Sequence, residues 1–216
     1  LYDDALEHIQ KGLVQKGIEL VEESLMEDAD DAMTWRLYGV ALTAIGRSQD
    51  AAKAMAKAEE LGLDDVDTLL MKATEAQASG KLDVAISRLE EALDVDGGRF
   101  EIWAGYAMAL VQAGYKSDAL EASERAVSLG ERHAQAWYVH GRVLRLSGHT
   151  GQGLHAYKRA LELDATLAVA WHERGMTEAQ IGQFAAAAQS FEQVLELHPG
   201  DAAAAQALEL VRKQLG

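Results

Sequence analysis

Two stretches of the chain hold the residue types of a metal or catalytic centre. "GHTGQGLH" carries His149 and His155, and "HERGM" opens at His172 like a helical zinc-protease motif. Zinc chemistry on a helix needs a second histidine four residues on, so that both rings meet one ion. That position is Met176, and the six-residue gap between His149 and His155 puts those rings on different helical faces. No glycine-rich loop with lysine and serine or threonine forms a phosphate cradle. Without a cysteine, thiolate and disulfide chemistry are excluded, and the redox compartment stays open. The expectation is a non-enzymatic chain with no catalytic, cofactor-binding or metal residues. What remains is a pair of guanidinium groups in "WYVHGRVLRLSG". Arg142 and Arg145 are three residues apart, on one face of a helix, with Tyr138 one turn earlier. Guanidinium groups grip carboxylates in bidentate fashion, so an acidic or C-terminal peptide group is one ligand. Acids of the same chain are the other, and both alternatives stand at this point.

Charge narrows the partners. The formal net charge is −15, with 22 acidic and 10 basic residues in positions 1–99 and 13 and 10 in the remainder. Such a chain repels a phosphate backbone, so nucleic acid is not an expected partner, and its first half repels anionic lipid. No apolar run approaches the roughly 18 residues of a membrane span, so no membrane insertion is expected. Apolar residues make up 49% and charged residues 25%, as in ordered globular chains. The opening "LYDDALEH" has no initiator methionine or leader and reads as part of a longer product. A soluble, cytoplasmic setting is the first expectation for compartment.

The elements that place these side chains follow from a period. Trp103, Trp137 and Trp171 are 34 residues apart, and Trp35 lies two periods before Trp103. Gly12, Gly46, Gly80, Gly114, Gly148 and Gly182 keep the same spacing without a break. Each unit has a helical apolar pattern on either side of its fixed glycine, as in "AMTWRLYGVALTAIG" followed by "DAAKAMAKAEELG". The glycine ends the first helix in a left-handed conformation. Asp50, Asp83 and Asp118, just past the turn, are placed to cap or complement the next helix. Small residues recur where helix axes must approach, among them Gly39, Gly141 and Gly175 in first helices and Ala51, Ala119 and Gly153 in second ones.

This grammar resembles the tetratricopeptide repeat. "AWYVHGRVLRLSGHTGQGLHAYKRALELD" matches it through Trp137, Gly141, Leu144, Gly148, Tyr157 and Ala160, and the next unit adds Phe191 and the single proline, Pro199. The resemblance implies an all-α, right-handed solenoid of helix-turn-helix hairpins forming one continuous domain. Its units are 1–31 (partial), 32–65, 66–99, 100–133, 134–167 and 168–201, with 202–216 as a capping helix whose stripe is Ala204, Leu208, Val211 and Leu215. Lys72, His140, Arg174 and Glu178 depart from the family's apolar preferences. Arg174 and Glu178, four apart, are expected to pair on the helix surface, and the last unit to pack less tightly.

Several first helices carry a second apolar stripe beyond the one stacking needs, such as Met33, Leu37, Val40 and Ala44, or Ala104, Met108 and Val111. A helix apolar nearly all round is either buried on all sides or adhesive. In the tetratricopeptide family the first helices line a concave face where peptides dock. Carried onto this chain, that lining is Tyr2, Leu6, Met33, Arg36, Leu37 and Val40 in the early units. It continues with Leu70, Met71, Thr74, Met108 and Val111, then Tyr138, Val139, Arg142, Arg145, His172 and Met176. Methionine suits an adaptable surface. The lysine/asparagine/arginine clamp of chaperone-tail receptors has no counterpart, because the matching places hold Arg36, Val40, Met71, Glu101 and Gly105. The resemblance therefore implies a protein-interaction scaffold that binds a peptide or partner protein in this groove. The alternative is a self-assembling structural scaffold, a homo-oligomer joined through its ends or grooves, like some bacterial organelle- or pilus-associated members.

Overall fold

The structure, a computed structural model, describes residues 1–216. It is all-α, with thirteen helices and no strand. The chain divides into two compact units, Leu1–Leu69 and Leu70–Gly216.

The first unit contains α1 (Tyr2–Gln10), α2 (Val14–Glu27), α3 (Ala32–Ala44) and α4 (Ser48–Glu60). The helices pair as α1 with α2 and α3 with α4, and α2 packs on α3. Val21 and Leu37 close around Ala5 in one core, and Ile18, Ala41, Leu42, Ala51 and Ala54 form the other. The boundary between units falls inside α5 (Val66–Ala78). The second unit continues with α6 (Leu82–Val95), α7 (Phe100–Ala113), α8 (Lys116–Leu129), α9 (Ala134–Ser147) and α10 (Thr150–Leu163). It ends with α11 (Ala168–Gln180), α12 (Phe184–Leu197) and α13 (Ala202–Lys213). Here α7 pairs with α8, α9 with α10 and α11 with α12, and α13 packs on α12.

The fixed glycines do what their spacing requires. All six have positive φ, from 71° at Gly80 to 98° at Gly148. The N–H of the residue after each one donates to the carbonyl five residues back, as in His149 to Leu144 at 2.8 Å and Tyr115 to Leu110 at 2.9 Å. This is the left-handed stop that satisfies orphan carbonyls at a helix end.

The aspartates after the turn take the second of their two expected roles: Asp118, like the other two, lies in the first turn of the next helix and complements its positive end rather than capping it. None of the helices that follow these turns has a side-chain cap; Asp50 and Asp83 sit in the first turn, and Asp50 is tied to Arg47 at 2.7 Å. The side-chain caps stand instead before α3, α5 and α13: Asp31 accepts from Met33 N, Asp65 from Thr68 N and Asp201 from Ala204 N. The reason is residue type: the N-caps of the second helices are Leu13, Arg47, Lys81, Tyr115, His149 and Gln183, none of them a favoured capping side chain, whereas an aspartate directly precedes α3, α5 and α13.

The tryptophans have a second duty beyond filling space. Each indole N–H donates to the carbonyl six residues before it: Trp35 to Ala29, Trp103 to Gly97, Trp137 to Glu131 and Trp171 to Ala165, at 2.7–2.9 Å. The same ring thus packs between helices and ties down the turn that enters its unit.

The last unit is not loosened at its polar positions. Glu178 is buried, not on the surface, and takes Arg174 Nε at 2.8 Å and Ser190 Oγ at 2.7 Å. The Arg174 guanidinium also lies 5.3 Å from the Trp171 ring centroid. With both carboxylate oxygens occupied, Glu178 is 3% exposed and stands where an apolar residue would.

Candidate functional site

The second unit contains a cavity of about 630 Å³ between α5, α7 and α9. On α7 the lining residues Glu101, Gly105, Met108 and Gln112 fall on one helical stripe, and on α9 so do Gln135, Tyr138, Val139 and Arg142. Thr74 and Gln77 of α5 complete the wall. The floor is apolar, with Met108, Tyr138 and Val139 each under one-tenth exposed, while three glutamine amides stand at the rim. Amide groups both donate and accept, so such a rim suits a peptide backbone.

A smaller cavity of about 230 Å³ adjoins α9, α11 and α12 and is lined by Tyr138, His172, Glu173 and His198 among others. Tyr138 borders both spaces. Its ring lies 6.3 Å from that of Tyr157 and 5.8 Å from the Arg142 guanidinium. His172 meets Phe191 edge-on at 5.7 Å, so its ring is part of the packing as well as of the cavity wall.

The two arginines share one acid of their own chain. Arg145 Nη2 donates to Glu173 Oε2 at 3.0 Å, whereas Arg142 Nε reaches Oε1 only at 3.5 Å, an ion pair too long for a good hydrogen bond. The Nε of each guanidinium is buried without a hydrogen-bond partner, and so is the Tyr157 hydroxyl. Tyr157 lies beside Arg145, but the geometry falls short of a hydrogen bond. Burial pushes the Tyr157 phenol up to about 12, against the opposing pull of Arg145, so it stays a protonated donor. Burial disfavours the charge on Arg145, yet Tyr157 and Glu173 outweigh it and hold the group above its ordinary value.

The residues expected to line a groove therefore divide. Thr74, Met108, Tyr138, Val139 and Arg142 come together on the larger cavity, and His172 joins Tyr138 on the smaller. Arg145 is held through Glu173, and Val111 is buried in the core shared by α7 and α9. Leu70, Met71 and Met176 line neither space; Met71 and Met176 are openly exposed, at 63% and 50%. In the first unit Tyr2 and Leu6 pack against the Ala5–Val21–Leu37 core, which contains Leu37 itself. Met33 is exposed, Val40 half-buried and Arg36 buried.

Apolar periodicity did not reveal the glutamine rim or Glu173. Gln112 and Gln135 are legible only as one turn beyond Met108 and one before Tyr138. Glu173 holds the register of Val139 one period later, and only that register brings it under both arginines.

Models of the tetratricopeptide repeat match residues 70–131, and again 134–167 and 168–201. No curated protein sequence matches the chain. Among solved structures, the chain is similar to TTC0263, a thermophilic tetratricopeptide protein of Thermus thermophilus, with 19% identity over 83% of this chain and 98% of that one, at a TM-score of 0.65. It is similar to YrrB, described as having an unusual peptide-binding site, with 20% identity over 89% and 99% and a TM-score of 0.58. It is also similar to MamA, with 22% identity over 68% and 81% and a TM-score of 0.56. These likenesses are of fold.

Proposed function

This chain belongs to the tetratricopeptide repeat family, whose fold mediates protein–protein interaction, and on that premise we propose that it is a non-catalytic scaffold holding a peptide segment of a partner protein in the α5–α7–α9 cavity of its second unit. The observation that carries this is the composition of that cavity. An apolar floor of Met108, Tyr138 and Val139 gives contact area, the glutamine rim offers hydrogen bonds to a backbone, and Arg142 gives a charge preference. Arg142 favours peptides bearing an acidic side chain or a free C-terminus near one end.

Selection of a displayed peptide library against the whole chain tests the proposal. Thr74 is exposed on the cavity wall, so Thr74→Trp fills the space without disturbing the core. Selected peptides should bind wild type and lose at least tenfold on Thr74→Trp; equal binding to both places the contact elsewhere and removes the cavity from the function. Self-assembly is the second proposal. It is favoured by Leu13 and Met26 of the first hairpin, which stand 55% and 86% exposed. Light scattering over a dilution series separates the two, since only self-association must fall with concentration.

A further inference from the structure

The cluster around Glu173 has more donors than acceptors. Two guanidinium groups share one carboxylate, which leaves one positive charge over in a half-buried place. Arg142 Nε, Arg145 Nε and the hydroxyl of Tyr157, a residue with no exposed surface, are all buried without a well-formed hydrogen bond; Arg142 Nε has only its long ion pair to Glu173, and the Tyr157 oxygen only its place beside Arg145. Buried donors are nearly always satisfied, so several orphans within one cluster indicate a missing acceptor.

We propose that Arg142, Arg145 and Tyr157 form a receptor for one ligand carboxylate that takes the place of Glu173, the resident competitor: Glu173 lines the smaller cavity, and the buried donors behind it are reached only when its carboxylate moves aside. This deepens the reading of the α5–α7–α9 cavity as a peptide groove and rests on it, because Arg142 is the member of the cluster that lines that cavity. Glu173 holds Arg145 by a hydrogen bond but leaves Arg142 with a 3.5 Å ion pair, so the group facing the cavity is the less firmly held. The Tyr138 ring beneath Arg142 keeps its guanidinium in place without consuming a donor. One surplus charge matches a single carboxylate. A polyanion would meet the repulsion of a chain with net charge −15. The carboxylate can come from a chain end or from an aspartate or glutamate side chain, since the fork geometry accepts both.

The test observes the arginine Nε–H resonances of the full chain by nitrogen-edited NMR during titration with small probes. These are N-acetylalanine for a chain end, N-acetylaspartic acid α-amide, with its side-chain carboxylate free, for a side chain, N-acetylalaninamide as the neutral control, and sulfate. Saturable shifts at Arg142 and Arg145 with either carboxylate, and none with the amide, support the receptor; the tighter of the two identifies the source. Glu173→Gln removes a repelling charge and should tighten carboxylate binding about tenfold, as expected for one charge roughly 6 Å away at a dielectric between those of protein and water. Absence of saturable shifts in both wild type and Glu173→Gln overturns the receptor, and sulfate binding as tightly as carboxylate overturns its chemistry. Carboxylate binding no tighter in Glu173→Gln overturns the competitor. The Met108 methyl signal on the cavity floor keeps the two proposals apart. Selected peptides that move Met108 while both Nε–H groups stay silent remove the receptor and leave the groove, whereas peptides that bind without moving Met108 remove the groove.

Discussion

Gly141→Ala should destabilise the second unit by about 2 kcal/mol. A Cβ added at Gly141 would stand 2.7 Å from both Cδ1 and Cε1 of Tyr157 and 3.1 Å from the Gly153 carbonyl oxygen. Comfortable carbon–carbon contact is about 3.5–4.0 Å, so the overlap is close to 1 Å against two ring atoms at once. Tyr157 cannot retreat: it has no exposed surface and lies in the core with Ala107, Val143 and Ala160. Overpacking of this kind costs about 1–3 kcal/mol, and contact with both ring and backbone puts it at the upper end. Replacing a mid-helix glycine by alanine returns about 1 kcal/mol of helix propensity, which leaves the net loss near 2. Gly151→Ala is the matched control in the same hairpin. Gly151 has nothing within 4 Å of an added Cβ, so the substitution should be neutral or stabilise by about 0.5 kcal/mol. Urea unfolding followed by circular dichroism and by tryptophan fluorescence reads both, with two probes because repeat arrays can unfold in parts. Gly141→Ala as stable as Gly151→Ala would refute the account of how α9 and α10 pack.

Other substitutions have defined outcomes. Trp171→Phe keeps the aromatic bulk but loses the indole hydrogen bond to Ala165, and should cost about 1 kcal/mol in the urea midpoint. Glu178→Gln weakens the buried Arg174–Glu178–Ser190 arrangement and should cost about 2 kcal/mol, while Arg174→Lys, which loses the Nε contact, should cost less because its site is partly open to water. Burial first, and then bonds to Glu22 and Glu90, push Tyr38 and Tyr106 up to about 12; Tyr157 is raised to a similar value. The unfolded chain releases these protons near pH 10 while the folded chain keeps them. Stability is therefore intact below pH 10 and falls as pH rises towards 12, and part of the phenolate absorbance change should be delayed to that range.

Much of the fold was legible because it repeats. The glycine register gave the positions of all six left-handed turns, and the small residues marked where an added Cβ would strike the partner helix, as at Gly141 and Gly175. The polar substitutions were visible as departures but not in their consequences. His140 bonds Ser123, and at the same place in other units, unmarked as departures, Tyr38 bonds Glu22 and Tyr106 bonds Glu90, each reaching back 16 or 17 residues to the preceding hairpin. That reach depends on where two helices cross, which a one-dimensional pattern does not contain. The same limit applied at the candidate site. An apolar stripe found Met108, and the family resemblance added Tyr138 and Val139, but Val111 lies on the same stripe and in the same core without lining the cavity. The excess of donors beside Glu173 follows from a register across two units, so counting charges along α9 could not reveal it.

For a peptide in the α5–α7–α9 cavity the six methionines are natural reporters. Methyl NMR of the whole chain with a selected peptide should shift Met108, on the cavity floor, while Met26, exposed on α2, and Met55, packed against Gly39, stay unmoved. A bound peptide that leaves Met108 unchanged, or that moves Met26 instead, would contradict that placement and transfer the binding surface to the first unit.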